Sequence, residues 1–307
     1  MMNMARLGVG LQALSLGEVA YQNAVAYAKD RRQGRALTGP ADPGEKADPL
    51  FVHPDVRRML MESKATLEAS RALCLWGALQ VDLVHKAQTE QERQAADDLI
   101  SLLTPVIKGY ITDKGYEIAT MAQQIYGGHG YIRENGMEQY VRDARIAMIY
   151  EGANGVQAMD LVGRKLAING GRAIRAYFAI LAEEIAEAKA VPATAELAGQ
   201  LEKTVGQLQA ATMWLAQNGM ANPDNAGAGA YSYMHLMGIV TLGWMWLKMA
   251  RASAAAIDAG QGDRAFHEAK LVTARFFAER IMPDAGSLRR KIEIGAETLM
   301  ALPMEAF

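Results

Sequence analysis

Three stretches of this 307-residue chain hold residue types that could do chemistry. The first is "YEGANG", residues 150–155, where one carboxylate, Glu151, stands between an aromatic and a turn glycine. A carboxylate becomes a useful acceptor for a weakly acidic proton when it is kept dry, because desolvation disfavours its charged form and raises its pKa. Tyr150 could shield such a base, and Gly152 could let substrate or backbone pass close. The plainer alternative is an acid at a helix entry, favoured by the helix dipole. The second stretch is "QQIYGGHGY", 123–131, whose Gly127 and Gly128 could let the backbone approach a ligand. Paired glycines also serve simply to end helices. The third is "DRRQGR", 30–35, with three arginines where a helix gives way to a loop. They could meet an anion, or merely sit in solvent at the negative end of the dipole.

Weaker signals have plain structural explanations. "GVGLQA" at 8–13 loosely fits a dinucleotide fingerprint, but too little chain precedes Gly8 for the strand that motif requires. Its small residues are read instead as a close helix contact. His53, His85, His129, His235 and His267 lack H-x-x-x-H spacing, so no metal site is expected. Cys74 is the one cysteine, so no internal disulfide can form; it is read as a small buried residue rather than a nucleophile. That usage suits a reducing compartment, and a cytoplasmic location is expected. The formal net charge is -2, which gives no bulk attraction to nucleic acid or to an anionic membrane. An anionic ligand would need a local basic cluster. "LMGIVTLGWMWL", 236–247, is too short to span a bilayer and reads as a buried core helix, with the methionines around it as adaptable core.

Helices must position these residues, since strand signals are nearly absent and apolar residues recur at helical spacing. A first helix is expected over 3–31. A Gly/Pro-rich connection of about twenty residues follows, long enough to be functional. A second helix starts at Pro54, and a third covers 90–126. In the third, Pro105 is expected to kink the helix or restart it with Thr104 as N-cap. Beyond a glycine-punctuated loop come a short helix near 137–144, the Glu151 turn, and a capped helix from Asn154 to about 167. Further helices are expected over 172–190, 194–220, 228–260, 263–281 and 284–301. The fold class is therefore all-α, with one helical unit over 1–168 and a second helical bundle over 169–307.

Taken together, the three stretches resemble the acyl-CoA dehydrogenase family in order and spacing. "DRRQGR" stands where that family has Arg-x-Gln-Phe-Gly, and "QIYGGHGY" is similar to its Gln-x-x-Gly-Gly-x-Gly-aromatic loop. "RDARIAMIYEGANGVQ" is similar to its segment ending Tyr-Glu-Gly-Thr-x-x-x-Gln. The likeness runs over 1–168, which would be the family's C-terminal four-helix bundle. The remainder looks like the extra helical domain of long bacterial members, a group that includes enzymes acting on 3-methylmercaptopropionyl-CoA and on fatty acyl-CoAs. Members of the family begin with a helical domain and a β-barrel-like middle domain, so this sequence is expected to be the C-terminal half of a longer enzyme.

The resemblance implies a role for each residue. Glu151 would be the base that removes the α-proton of an acyl thioester while the β-hydrogen leaves as hydride to N5 of FAD. Residues 3–17 contain no acid, which disfavours the alternative base position known on the first helix. Asn3, Arg6, Tyr150 and Gly152 would line the substrate path. Arg31 and Gln33 would meet the FAD phosphates or adenine across a dimer interface. Gln124, Gly127 and Gly128 would contact its adenosine end, and Ala153 and Asn154 would lie by the flavin. Two departures stand out: Gly34 replaces an aromatic, and Ala153 replaces a threonine. Electron-transfer flavoprotein is the implied acceptor, and a homodimer or dimer of dimers the implied assembly, with neither nucleic acid nor membrane as partner. A non-catalytic helical subunit is the alternative of a different class, and an acyl-CoA oxidase a third.

Overall fold

The computed structural model describes the backbone of residues 2–307 and the side chains from Met4 onward, and among them it contains helices and no strand. One isolated β-bridge, Arg32 to Pro49, only joins the ends of a loop. The three long helices of the first half are α1 (Met2–Asp30), α2 (Pro54–Lys86) and α3 (Glu90–Ile125). Pro54 opens α2 where no backbone N–H is needed. Thr89 opens α3 with a capping box: its hydroxyl accepts from the Glu92 amide at 3.2 Å, and the Glu92 carboxylate accepts from the Thr89 amide at 3.0 Å.

α3 corrects one expectation. It runs unbroken through Pro105, and Thr104 is not a cap: its hydroxyl donates back to the Ile100 carbonyl at 2.6 Å. An interior proline costs a helix roughly 3 kcal/mol. Leu102, Leu103, Val106 and Ile107 around it are all buried, and each buried side chain of that size returns about 1.5–3 kcal/mol. Tertiary burial therefore outweighs the local break. α1 crosses α3 closely through small residues, since a Cβ on Gly10 would come 2.9 Å from the Ile107 carbonyl oxygen. The packing reading of "GVGLQA" holds.

α4 (Met137–Ala147) and α5 (Asn154–Asp160) complete the first half. The helix expected to reach 167 changes register after Asp160, where a π turn spans Leu161–Lys165. Ala153 occupies its N-cap position and supplies no side-chain cap. Asn169, Gly170 and Gly171 then turn the chain with three successive positive φ angles of 52°, 65° and 79°.

The second half comprises α6 (Arg172–Lys189), α7 (Ala195–Ala221), α8 (Pro223–Asp258), α9 (Arg264–Arg280), α10 (Asp284–Glu293) and α11 (Glu297–Met300). α8 is its spine. It begins at Pro223, earlier than expected, because Asn222 caps it by accepting from the Asp224 amide at 3.1 Å. Leu236 to Leu247 are all buried. α8 packs on α7, α9 and α10 and also on α2, α3 and α5. One apolar core accordingly runs from Leu14 through Tyr110 and Trp244 to Ile292. A smaller, alanine-rich cluster (Ala20, Ala24, Ala28, Ala119, Ala122) lies where α1 and α3 approach the glycine loop. No helix among the described residues is long and apolar enough to cross a membrane.

Candidate functional site

The residues singled out from sequence gather at two places along α3. Near its C-terminal end, Arg31, Gln33, Gln124, Gly127 and Gly128 line one hollow of about 690 Å³. Both basic and glycine-rich elements thus come from the same chain. They meet because the loop after α1 folds back beside the end of α3.

The loop 31–49 is organised by a residue the sequence did not flag. Asp48 is fully buried and accepts from the amides of Ala36 at 2.9 Å, Ala41 at 3.1 Å and Asp42 at 2.9 Å, and from Arg35 at 3.2 Å. The Ala36 amide first, then those of Asp42 and Ala41 with Arg35, outweigh burial and hold this carboxyl well below its ordinary range. The Gln33 amide donates to the Asp48 carbonyl at 2.9 Å, which ties the hollow's rim to that anchor.

Aromatic residues the sequence left unassigned also line the hollow. Tyr27 stacks on Tyr126 with ring centroids 4.0 Å apart, and its hydroxyl bonds His129 Nδ1 at 2.8 Å. His53 Nε2 bonds the Gln33 carbonyl at 2.7 Å, and a Cβ on Gly34 would sit 3.2 Å from the His53 ring. The imidazole therefore stands beside the position where an aromatic was missed. The glycines divide by cause. Gly127 has φ 58°, the left-handed turn that ends α3, and a Cβ on Gly130 would lie 2.4 Å from the Gln123 carbonyl oxygen. Gly128 has neither constraint, since its Cβ would meet nothing within 4 Å. The chain itself does not require glycine there.

The second place is the Glu151 turn. Glu151 adopts φ 56°, a left-handed conformation that is costly for a side chain with a Cβ, and Gly152 follows at φ 85°. The carbonyls of both residues are pinned inward. Gln157 Nε2 donates to each at 3.2 Å, and Lys108 Nζ donates to the Gly152 oxygen at 2.8 Å. A Cβ on Gly152 would stand 2.6 Å from Gln157 Nε2, so only glycine fits. The Glu151 residue itself is exposed. The dry base expected from sequence is not enclosed by this chain, because the turn lies on the surface of the bundle with only its carbonyls covered. Tyr150 leans over the helix α1 instead, its hydroxyl donating to Gln12 Oε1. Ala153 is exposed.

Asn154 is buried. Its side chain is turned into the bundle, where its amide nitrogen donates to the Gly109 carbonyl at 3.0 Å and to Asp113 Oδ1 at 2.7 Å, and its oxygen accepts from Lys108 Nζ at 2.9 Å. Only its backbone is left for a cofactor. Arg6 bonds Asp160 Oδ2 at 3.1 Å, which seats α1 against α5. Asn3 has its side chain outside the described residues.

Lys108 was missed entirely. It is fully buried, and burial pulls its ammonium down to about 8; the charges of Asp113 and Glu151 oppose that fall and Arg6 adds to it. Cys74, by contrast, is pushed up to about 12 by burial, which fits its reading as an inert core thiol. Sixteen residues of α3 separate Lys108 from Gln124, about 24 Å at the helical rise of 1.5 Å per residue. The turn and the hollow are thus two sites, and one molecule touching both on a single chain would have to bridge that distance.

Two families match successive parts of the chain. The family described as acyl-CoA dehydrogenase, C-terminal domain, matches residues 1–167, and that described as acetyl-CoA dehydrogenase C-terminal like matches 177–303. The chain is 36% identical to the 3-methylmercaptopropionyl-CoA dehydrogenase of Ruegeria pomeroyi, over 98% of its own length and 50% of the relative's. It is 34% identical to a broad-specificity linear acyl-CoA dehydrogenase of Mycobacterium tuberculosis, over 99% of its length and 51% of that protein. It thus spans about half the length of the curated relatives it matches. Among solved structures, ACDH-11 of Caenorhabditis elegans in complex with C11-CoA superposes with a TM-score of 0.74 at 16% identity, covering 92% of this chain and 43% of that one. An acyl-CoA dehydrogenase of Bacillus anthracis complexed with FAD gives a TM-score of 0.69 at 15% identity, covering 95% and 48%. At such identities these two show the fold alone. The matched families and relatives establish that the chain belongs to the acyl-CoA dehydrogenase family and fits the C-terminal half of one of its long members.

Proposed function

We propose that this chain supplies the base and part of the cofactor cradle of an FAD-dependent acyl-CoA dehydrogenase. The observation that carries this reading is the Glu151 turn: an exposed carboxylate on a left-handed residue whose own carbonyl and its neighbour's are held from below. Strain of this kind persists only where surrounding structure over-determines it, and it concentrates at functional sites.

The residues present fit the implied cofactor at the hollow. An open backbone at Gly128, an exposed Arg31 and a stacked tyrosine pair suit a diphosphate joined to an aromatic base. Arg31, Gln33, Gln124, Gly127 and Gly128 would hold that end. FAD, when bound, supplies the hydride acceptor. The work left to this chain is proton transfer and positioning. Glu151 takes the α-proton of the acyl thioester, with Tyr150 and Gly152 flanking the substrate and Arg6 near its path. Because Glu151 is exposed on this chain, the desolvation that raises a base's pKa comes from whatever covers the turn: substrate, cofactor or another part of the assembled enzyme. The acceptor of the electrons is electron-transfer flavoprotein, the assembly a homodimer or dimer of dimers, and the compartment the cytoplasm. The division into units at 1–168 and 169–307 belongs to the same proposal.

The test is Glu151→Gln in an assembly that reduces flavin with acyl-CoA. Stopped-flow bleaching should slow by roughly two to four orders of magnitude, the scale of a lost general base, with FAD content unchanged. Bleaching near the parent rate would remove Glu151 from the role. The exposure of Glu151 also favours a second reading, a non-catalytic helical subunit, in which the assembled protein shows no flavin absorbance at all.

A further inference from the structure

A continuous polar chain, buried from Asp113 onward, joins α8, in the second half of the molecule, to the Glu151 turn in the first. It begins with Tyr231 and His235, whose hydroxyl and Nε2 bond Asp113 Oδ2 at 2.6 and 2.8 Å. Asp113 Oδ1 accepts from Asn154 at 2.7 Å, Asn154 Oδ1 accepts from Lys108 at 2.9 Å, and Lys108 donates to the Gly152 oxygen at 2.8 Å. We infer that this chain is a positioning relay, through which the second helical half holds the turn that carries Glu151.

Three observations support it. Asp113, Lys108 and Asn154 are all buried, so each polar contact replaces a hydration shell that would be costly to lose unpaired. Burial alone would push the Asp113 carboxyl up; the bonds from His235, Tyr231 and Asn154 more than offset it and leave it below its ordinary range. Two of the three side chains bonded to Asp113, Tyr231 and His235, come from the other half. Finally, the last link ends on the turn's own carbonyl, beside two residues at φ 56° and 85° that need external restraint. Tyr231, His235, Asp113, Asn154 and Lys108 act through the turn and are positioning residues. Their catalytic meaning rests on the reading of Glu151 as the base; the mechanical coupling does not.

Amide hydrogen exchange on the 307-residue chain tests the coupling without substrate or cofactor. The reporters are the amides of Asn154, which donates to the Met148 carbonyl at 3.1 Å, and of Gln157, which donates to that of Ala153 at 3.1 Å. Asp113→Asn should speed their exchange by about tenfold, the equivalent of one lost hydrogen bond, with α2 and α7 still protected. Tyr231→Phe removes only one hydroxyl from a residue that is itself 47% exposed, so it retains the fold and should give a smaller acceleration at the same two amides. His235→Gln, which keeps a donor, should exchange more slowly there than His235→Phe. Parent-like exchange at the turn in both Asp113→Asn and Tyr231→Phe would overturn the relay, as would equal acceleration throughout α2 and α7. Neither result bears on whether Glu151→Gln abolishes flavin reduction, so the relay and the base stand or fall separately.

Discussion

Around Lys108, midway along Glu90–Ile125, α3 is enclosed by α5 and α8, and Asn154 bonds both Lys108 and Asp113 there. At its Gln124 end the same helix meets the alanine-rich cluster and an open hollow, and its polar groups face outward. One helix thus presents an enclosed middle and an open C-terminal end. The difference lies in what packs on it: the second half of the molecule covers the middle and not the C-terminal end. Rigid positioning and ligand access need opposite degrees of burial, and separating them along about 24 Å of helix lets one element serve both.

The comparison breaks if the enclosed middle proves unimportant to stability. Asp113→Ala takes the acceptor from Tyr231 and His235, removes one acceptor of Asn154, and deprives Lys108 of a favourable buried counter-charge. Breaking such a buried charged cluster costs about 3 kcal/mol or more, to be read as a fall in the denaturant midpoint. A loss under about 0.5 kcal/mol, the range of surface changes, would mean the network is ornamental.

A pair of glycine substitutions sharpens the contrast at the open end. Gly130→Ala forces a Cβ to within 2.4 Å of a carbonyl oxygen and should destabilise by about 1–3 kcal/mol, as overpacking does. Gly128→Ala enters open space and should stay within about 0.5 kcal/mol of the parent, yet weaken binding of FAD or ADP to the assembled protein. Equal effects on folding from both would erase the distinction between structural and ligand-facing glycines.

The smallest expected effect concerns pH. Lys108 holds its proton less tightly when folded, at about 8 against an ordinary lysine value of 10.5. Between those values the unfolded chain binds more protons, so this group's contribution to stability rises with pH across that window and is at its least favourable below about 8. The stability difference between the parent and Lys108→Met, followed by denaturant melts from pH 7 to 10.5, should shift in favour of the parent as pH rises. A flat difference curve would place Lys108 in a wetter setting than its burial indicates.

Much was legible in the residues themselves. Helix content, the starts at Pro54 and near Glu90, the close α1–α3 contact at Gly10 and the buried run Leu236–Leu247 follow from periodicity, turn chemistry and side-chain size, which act over a few residues. The glycine loop, the arginines and the Glu151 turn could be found because their chemistry is written in short spacings. What those spacings could not convey is which neighbours arrive from far away. Pro105 reads as a break until flanking leucines are buried on other helices. Asn154 reads only as the start of a helix until Asp113, 41 residues earlier, takes its amide. Lys108 carries no local signal, and His235 reads as a scattered histidine, until α8 folds across α3 and joins residues 122 positions apart. Local structure depends on local sequence. Burial, and with it the partners of the polar groups around Lys108, is set by the packing of distant segments, and that only the tertiary structure decided.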